Sequence, residues 1–148
     1  MSLKFLLLLS ALLLSSPQEA FTPQVAENAL KTWEQAAEVI CERDIVMIRS
    51  DEAIKAYESV FKKHIMGFAV PKVDPCPIFI QKTVDPELEE MVILHEVGHC
   101  LMGAHHSKHE ESIMRPYVTK DSMIYPRDVR ALRTKSPFCQ LKPLHPRN

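Results

Sequence analysis

Residues 95–99 read His-Glu-Val-Gly-His, and they constrain this chain more than any other stretch of it. Upstream, Asp85-Pro86-Glu87 is a strong helix start: a capping side chain, a proline in the first turn, then acids near the positive end of the helix dipole. A helix from 86 to about 102 puts His95 and His99 at i and i+4, so both imidazoles leave one face. Two neutral imidazoles one turn apart can share a Zn2+ at about 2.0–2.1 Å. Glu96 is turned about 100° from that face. It therefore stands beside the metal position rather than on it, where a carboxylate can take a proton from water. Leu88, Met91 and Val92 lead into the same face, so His95 is expected to be partly buried and to need a partner. A shuffle of this composition produces H-E-x-x-H only about 3% of the time, which disfavours two merely solvated histidines.

The rest of the composition sets limits. With 148 residues there is room for one domain, or one domain and a processed segment. Eighteen basic residues against 19 acidic ones provide no global field for nucleic acid. The chain opens with Lys4 and an apolar run from Phe5 to Leu14, followed by Ser15, Ser16 and the polar Gln18 and Glu19. That is the build of a secretory signal peptide, too short to span a bilayer. Residues 1–18 are expected to be removed, with cleavage between 16 and 20, leaving 19–148 as a single domain without a membrane anchor. No long propeptide is expected before the first helix. The product is expected to be secreted or periplasmic and monomeric. Cys41, Cys76, Cys100 and Cys139 make an even set in an exported chain, which reads as two disulfides with three possible connectivities.

Along the domain, Thr22-Pro23 starts a predicted amphipathic helix over 23–40, with Val25, Ala29, Trp33 and Ile40 on its inner stripe. Ile45–Ile48 reads as a buried strand. A second helix spans 52–63, capped by Ser50 or Asp51. Phe68–Val70 and Pro77–Lys82 are predicted strands joined by a Pro-rich connection. A last helix is predicted over 126–135. Its basic residues Arg127, Arg130, Arg133 and Lys135 are most simply a solvated face. The fold class is α+β.

His95-Glu-Val-Gly-His99-Cys-Leu-Met-Gly-Ala-His105-His106, followed by Ser112-Ile113-Met114-Arg115-Pro116, resembles the metzincin zinc peptidases over about 22 residues. That family carries H-E-x-x-H-x-x-G-x-x-H and a downstream Met-turn. The resemblance implies a small zincin-like fold with one catalytic Zn2+ and Glu96 as general base. It implies Met114 as an apolar floor beneath the metal, and a protein or peptide as substrate. In the family, the strand before the zinc helix pairs with extended substrate, which would here be an edge strand near Ile78–Lys82.

One position departs from the pattern. The family glycine falls at Met102, and Gly103 is one residue late. Keeping the His-to-His spacing makes His105 the third ligand and forces Met102 into a left-handed turn at about 1 kcal/mol or more. Keeping Gly-x-x-His makes His106 the ligand and adds one helical residue, rotating the helix exit by about 100°. The ligand cage should resist that rotation more than one strained residue, which favours His105. Tyr117 is placed either to line a substrate pocket or to sit in a plain loop. His109, His64 and His145 read as solvated. Cys100 points away from the metal and reads as half of a disulfide pinning the zinc helix. An exported zinc endopeptidase is the leading expectation. The alternative is a metzincin-like zinc-binding or interaction protein with weak or no turnover.

Overall fold

The computed structural model describes residues 2–15 and 19–144. The apolar run near the start forms α1 (Leu3–Ser15). The expected cleavage region lies partly outside the described residues, as does His145. After β1 (Glu19–Ala20), Pro23 opens α2 (Pro23–Ala37), which buries Ala26, Ala29, Trp33 and Ala37 at helical spacing. The helix predicted to reach residue 40 stops earlier. Glu38 adopts a left-handed conformation with φ 54°, and the chain leaves as β2 (Val39–Cys41).

β3 (Ile45–Arg49) and α3 (Asp51–Phe61) follow. Ser50 caps α3, its hydroxyl accepting from the Ala53 N–H at 3.1 Å. Then come β4 (Gly67–Ala69), β5 (Cys76–Ile80) and the long α4 (Pro86–Met102). Asp85 caps α4 by accepting from the Glu87 N–H at 3.0 Å. A looped stretch leads to α5 (Pro126–Lys135) and β6 (Cys139–Leu141). Among the described residues this is a small α+β fold with five helices and a few-stranded mixed sheet.

The main sheet runs β1-β3-β5-β4, with β3 and β5 parallel and the outer strands antiparallel. Side chains alternate between its faces. Met47, Ile78 and Ile80 meet α2 and α4 in the larger core, while Phe68 and Phe79 face α1 and α3. The edge strand expected near Ile78–Lys82 is therefore corrected: β5 is central and β4 is the edge. Ile78, Phe79 and Ile80 are all fully buried. A strand covered on both faces reads as a continuous apolar run, which is what Ile78-Phe79-Ile80 is.

A second, two-stranded sheet pairs β2 with β6, and the Cys41–Cys139 disulfide crosses it. The other bridge, Cys76–Cys100, joins the start of β5 to α4 one residue past His99. It pins the helix that carries the histidine pair, as expected for Cys100. No helix among the described residues is long and apolar enough to cross a membrane.

Candidate metal centre

α4 presents His95 and His99 on one face, and the loop after it brings a third imidazole to them. His99 Nε2 lies 3.0 Å from His95 Nε2 and 3.1 Å from His106 Nε2. Tetrahedral ligands at zinc–imidazole bond length stand about 3.3 Å apart, so the three nitrogens already have nearly the spacing of a shared cation. His95, His99 and His106 are the three side chains that the described residues gather for a metal ion. The remaining nitrogens fix the tautomers. His95 Nδ1–H donates to the Ile113 carbonyl at 2.6 Å, and His99 Nδ1–H donates to the Gly103 carbonyl at 2.7 Å. With Nδ1–H committed, each Nε2 holds only a lone pair. Lone pairs 3 Å apart repel unless a cation or proton lies between them. The donor set thus fits a metal, and both carbonyls serve as the outer partners such histidines use.

The expectation that favoured His105 is corrected. His106 is in the cluster and His105 beside it is not. Met102 is the last residue of α4, and Gly103 ends the helix at φ 74°. The left-handed turn thus falls on the residue with no Cβ to oppose it. The extra helical residue is absorbed because the Gly103 carbonyl, once past the turn, comes back to hold His99. Burial favours neutral imidazoles throughout. It pulls His95 down to about 4, and together with the neighbouring histidines it pulls His99 down to about 3. His106 is lowered too, by burial first and then by the charges of His105 and Lys63.

Glu96 is 6% exposed, and its Oε1 is 4.0 Å from His95 Nε2. It sits beside the cluster, as its offset on the helix predicts. Burial pushes its carboxyl up to about 8, against the opposing effect of a backbone hydrogen bond from Ala69 in β4. Tyr57 on α3 is raised by burial and by the Glu96 charge.

Met114, next in the chain to the Ile113 carbonyl that meets His95, is fully buried. It explains Gly98: a Cβ there would collide with the Met114 sulfur and come within 2.9 Å of Trp33 Cζ2. Trp33 Nε1–H donates in turn to the Leu94 carbonyl of α4 at 2.9 Å. The turn carrying Met114 is held from below. The Ser112 hydroxyl lies 2.7 and 2.8 Å from the two oxygens of Asp128, which is fully buried on α5. Ser112 Oγ also accepts from the Met114 N–H at 3.0 Å, and Asp128 accepts from the Tyr125 N–H at 2.8 Å. The Ile113 N–H donates to the Met123 carbonyl at 2.6 Å, which holds the Ile113 carbonyl toward His95. Neither Asp128 nor this bracing was anticipated. The one available signal was an acid three residues into a helix opened by Tyr125-Pro126, and that signal speaks equally of an ordinary cap.

His95, Glu96, His99 and His106 lie in the wall of one open cavity of about 830 Å3. β4, the 70–73 segment and Pro116, Tyr117 and Val118 also line it. Tyr117 is 72% exposed. His109 stacks on Tyr125 with ring centroids 3.7 Å apart and takes no part in the cluster. His64 lies on the cavity wall, exposed and paired with Glu58 at 2.9 Å. No protein-family model matches this chain, and neither a curated protein nor a solved structure matches it.

Proposed function

We propose that the chain is an exported zinc endopeptidase of the metzincin kind. The observation that carries this reading is the convergence of three imidazole Nε2 atoms with a carboxylate beside them on the wall of an open cleft. Three histidines with an open fourth position are the ligand set of a hydrolytic zinc site. Zinc there supplies Lewis acidity toward a peptide carbonyl and toward water. Glu96 is placed to take the proton from the attacking water and to return it to the departing amine nitrogen. The charge of a zinc ion held by the three imidazoles would favour the ionised form that this role needs.

β4 supplies the platform for an extended substrate. Phe68 pairs across to Phe79 on β5, and Val70 N–H donates to the Pro77 carbonyl. By the alternation of an antiparallel ladder, Gly67 and Ala69 turn their backbone groups to the open edge. Ala69 is also the residue that bonds Glu96, so a peptide along this edge passes the carboxylate.

Export is supported by the opening apolar run and by two disulfides, which suit an extracellular or periplasmic setting. Within the full chain, α1 buries Phe5 among Tyr57, Phe61 and Phe68, and Leu6 lines the cavity. Removal of residues 1–18 would then widen the cleft toward these aromatic rings. The deciding experiment is to load the protein with zinc, count metal per chain, and compare cleavage of unfolded protein substrates by wild type and Glu96→Ala. One zinc per chain with cleavage reduced at least a hundredfold in the variant is expected. One zinc per chain without any cleavage would leave a metal-binding protein lacking turnover.

A further inference from the structure

The charged residues on the cleft wall are unevenly distributed around β4. Lys63 and Lys72 both line the cavity, one before β4 and one after it, and both are exposed. Neither has an acidic partner among the ion pairs of the described residues. The nearby acids are already engaged. Glu58 meets His64 Nδ1 at 2.9 Å and accepts from the Ile65 N–H at 3.3 Å. Asp74, close to Lys72 in sequence, pairs with Arg43 at 3.5 Å. Lys63 also stands near enough to His106 for its charge to act on that imidazole. In the chain between the two lysines, the lining residues Ile65, Met66, Phe68, Ala69 and Val70 are apolar, and the lining residues Pro116, Tyr117 and Val118 add no charge.

We infer that the cleft selects extended peptides whose acidic side chains flank an apolar centre, one carboxylate meeting Lys63 and another meeting Lys72. This rests on the endopeptidase reading of the same cavity and adds the substrate class to it. Lys63 lies four residues before Gly67, and Lys72 three residues after Ala69. A strand added along β4 would therefore run between the two chain segments that carry these lysines. Two cations with no protein counter-ion beside a low-dielectric wall attract anions and repel cations as the peptide approaches.

The test uses the zinc-loaded full chain and three quenched fluorescent peptides sharing one apolar centre, flanked by Glu, by Gln or by Lys. The expected order of kcat/KM is Glu over Gln over Lys, with about fivefold per step in 20 mM salt. The gap should collapse in 1 M salt, where the screening length is about 3 Å. Lys63→Glu combined with Lys72→Glu should reverse the order. Equal cleavage of all three peptides would overturn the inference while leaving the endopeptidase reading intact. If nothing is cleaved, anisotropy of the labelled peptides decides. The same order in binding would keep the acidic preference and discard the peptidase, and equal or absent binding would discard both.

Discussion

Two imidazoles of the cluster each commit one nitrogen to a backbone carbonyl, and the nitrogens that remain point at a common centre. Removing His106 takes away one of the three imidazoles that could hold a metal ion, whereas His105 lies outside that group. His106→Ala should therefore lose zinc at least a hundredfold in Kd, and His105→Ala should stay within about threefold, read by chelator competition. Equal losses would mean that the third ligand alternates. Glu96 gives a second prediction, for the metal-free protein. Its carboxyl is raised to about 8 from 4.5, so between those values the fold holds a proton that the unfolded chain has released. Stability from this group is full below 4.5 and is lost as pH rises through about 8. His95 and His99 are lowered, to about 4 and about 3, from 6.5. Their contribution is full above 6.5 and is lost as pH falls through those values. The two trends oppose each other between 4.5 and 6.5, and above that window Glu96 acts alone. Metal-free protein should lose up to about 2 kcal/mol between pH 6.5 and 8. Glu96→Gln should remove that slope, and so should bound zinc, whose charge favours the carboxylate. Urea unfolding across this range is the measurement, and a stability rising with pH in the metal-free wild type would contradict the burial argument.

At the scale of elements, α4 is where sequence and structure agree most closely, because its signals are local. The Asp85-Pro86 start, the i, i+4 histidines and the offset of Glu96 depend on nothing outside one helix. At the exit of that helix the added residue proves cheaper than a strained Met102. The glycine itself marked the turn, since Gly103 takes the positive φ at no steric cost. Strand order was harder to read. β4 precedes β5 in the chain yet lies outside it in the sheet, and only the unbroken apolar run of β5 hinted at its central place. The Met114 turn was legible as a motif, but its contact with Gly98 was not, because that contact joins two elements. It is testable as a coupling. Gly98→Ala pushes a methyl into the Met114 sulfur and toward Trp33, and should cost about 1–3 kcal/mol as overpacking. Adding Met114→Ala should recover part of that cost, so the double variant should lose at least 0.5 kcal/mol less than the sum of the singles. Strict additivity would show that the turn moves aside freely.

For the whole molecule, four cysteines announced two bridges, but which pairs form is a matter of long-range packing. β2 and β6 are each three residues long, far apart in the chain, and paired across the Cys41–Cys139 bridge. Nothing within either segment specifies its partner, so neither this small sheet nor the pairing was readable beforehand. The two bridges should then play separable roles. Cys41–Cys139 closes 98 residues, and Cys76–Cys100 closes 24. Chain entropy alone assigns them about 4.7 and about 3.5 kcal/mol. Stability should therefore fall further when Cys41 and Cys139 are both changed to Ser than when Cys76 and Cys100 are. Metal affinity should follow the opposite order. Cys100 is the fully buried neighbour of His99 on α4, and its bridge ties this turn of the helix to the start of β5. Without it, the helix exit that sets His99 and Gly103 is held by packing alone. Cys76→Ser with Cys100→Ser should weaken zinc binding about tenfold, the scale on which supporting contacts act on a metal site. The 41–139 pair of variants should leave zinc affinity within about twofold while lowering the melting temperature more. Thermal unfolding of the metal-free proteins and zinc titration of each folded variant separate the two effects. A larger zinc loss from the remote bridge would mean that the centre is held by the fold as a whole, and not by the bridge beside it.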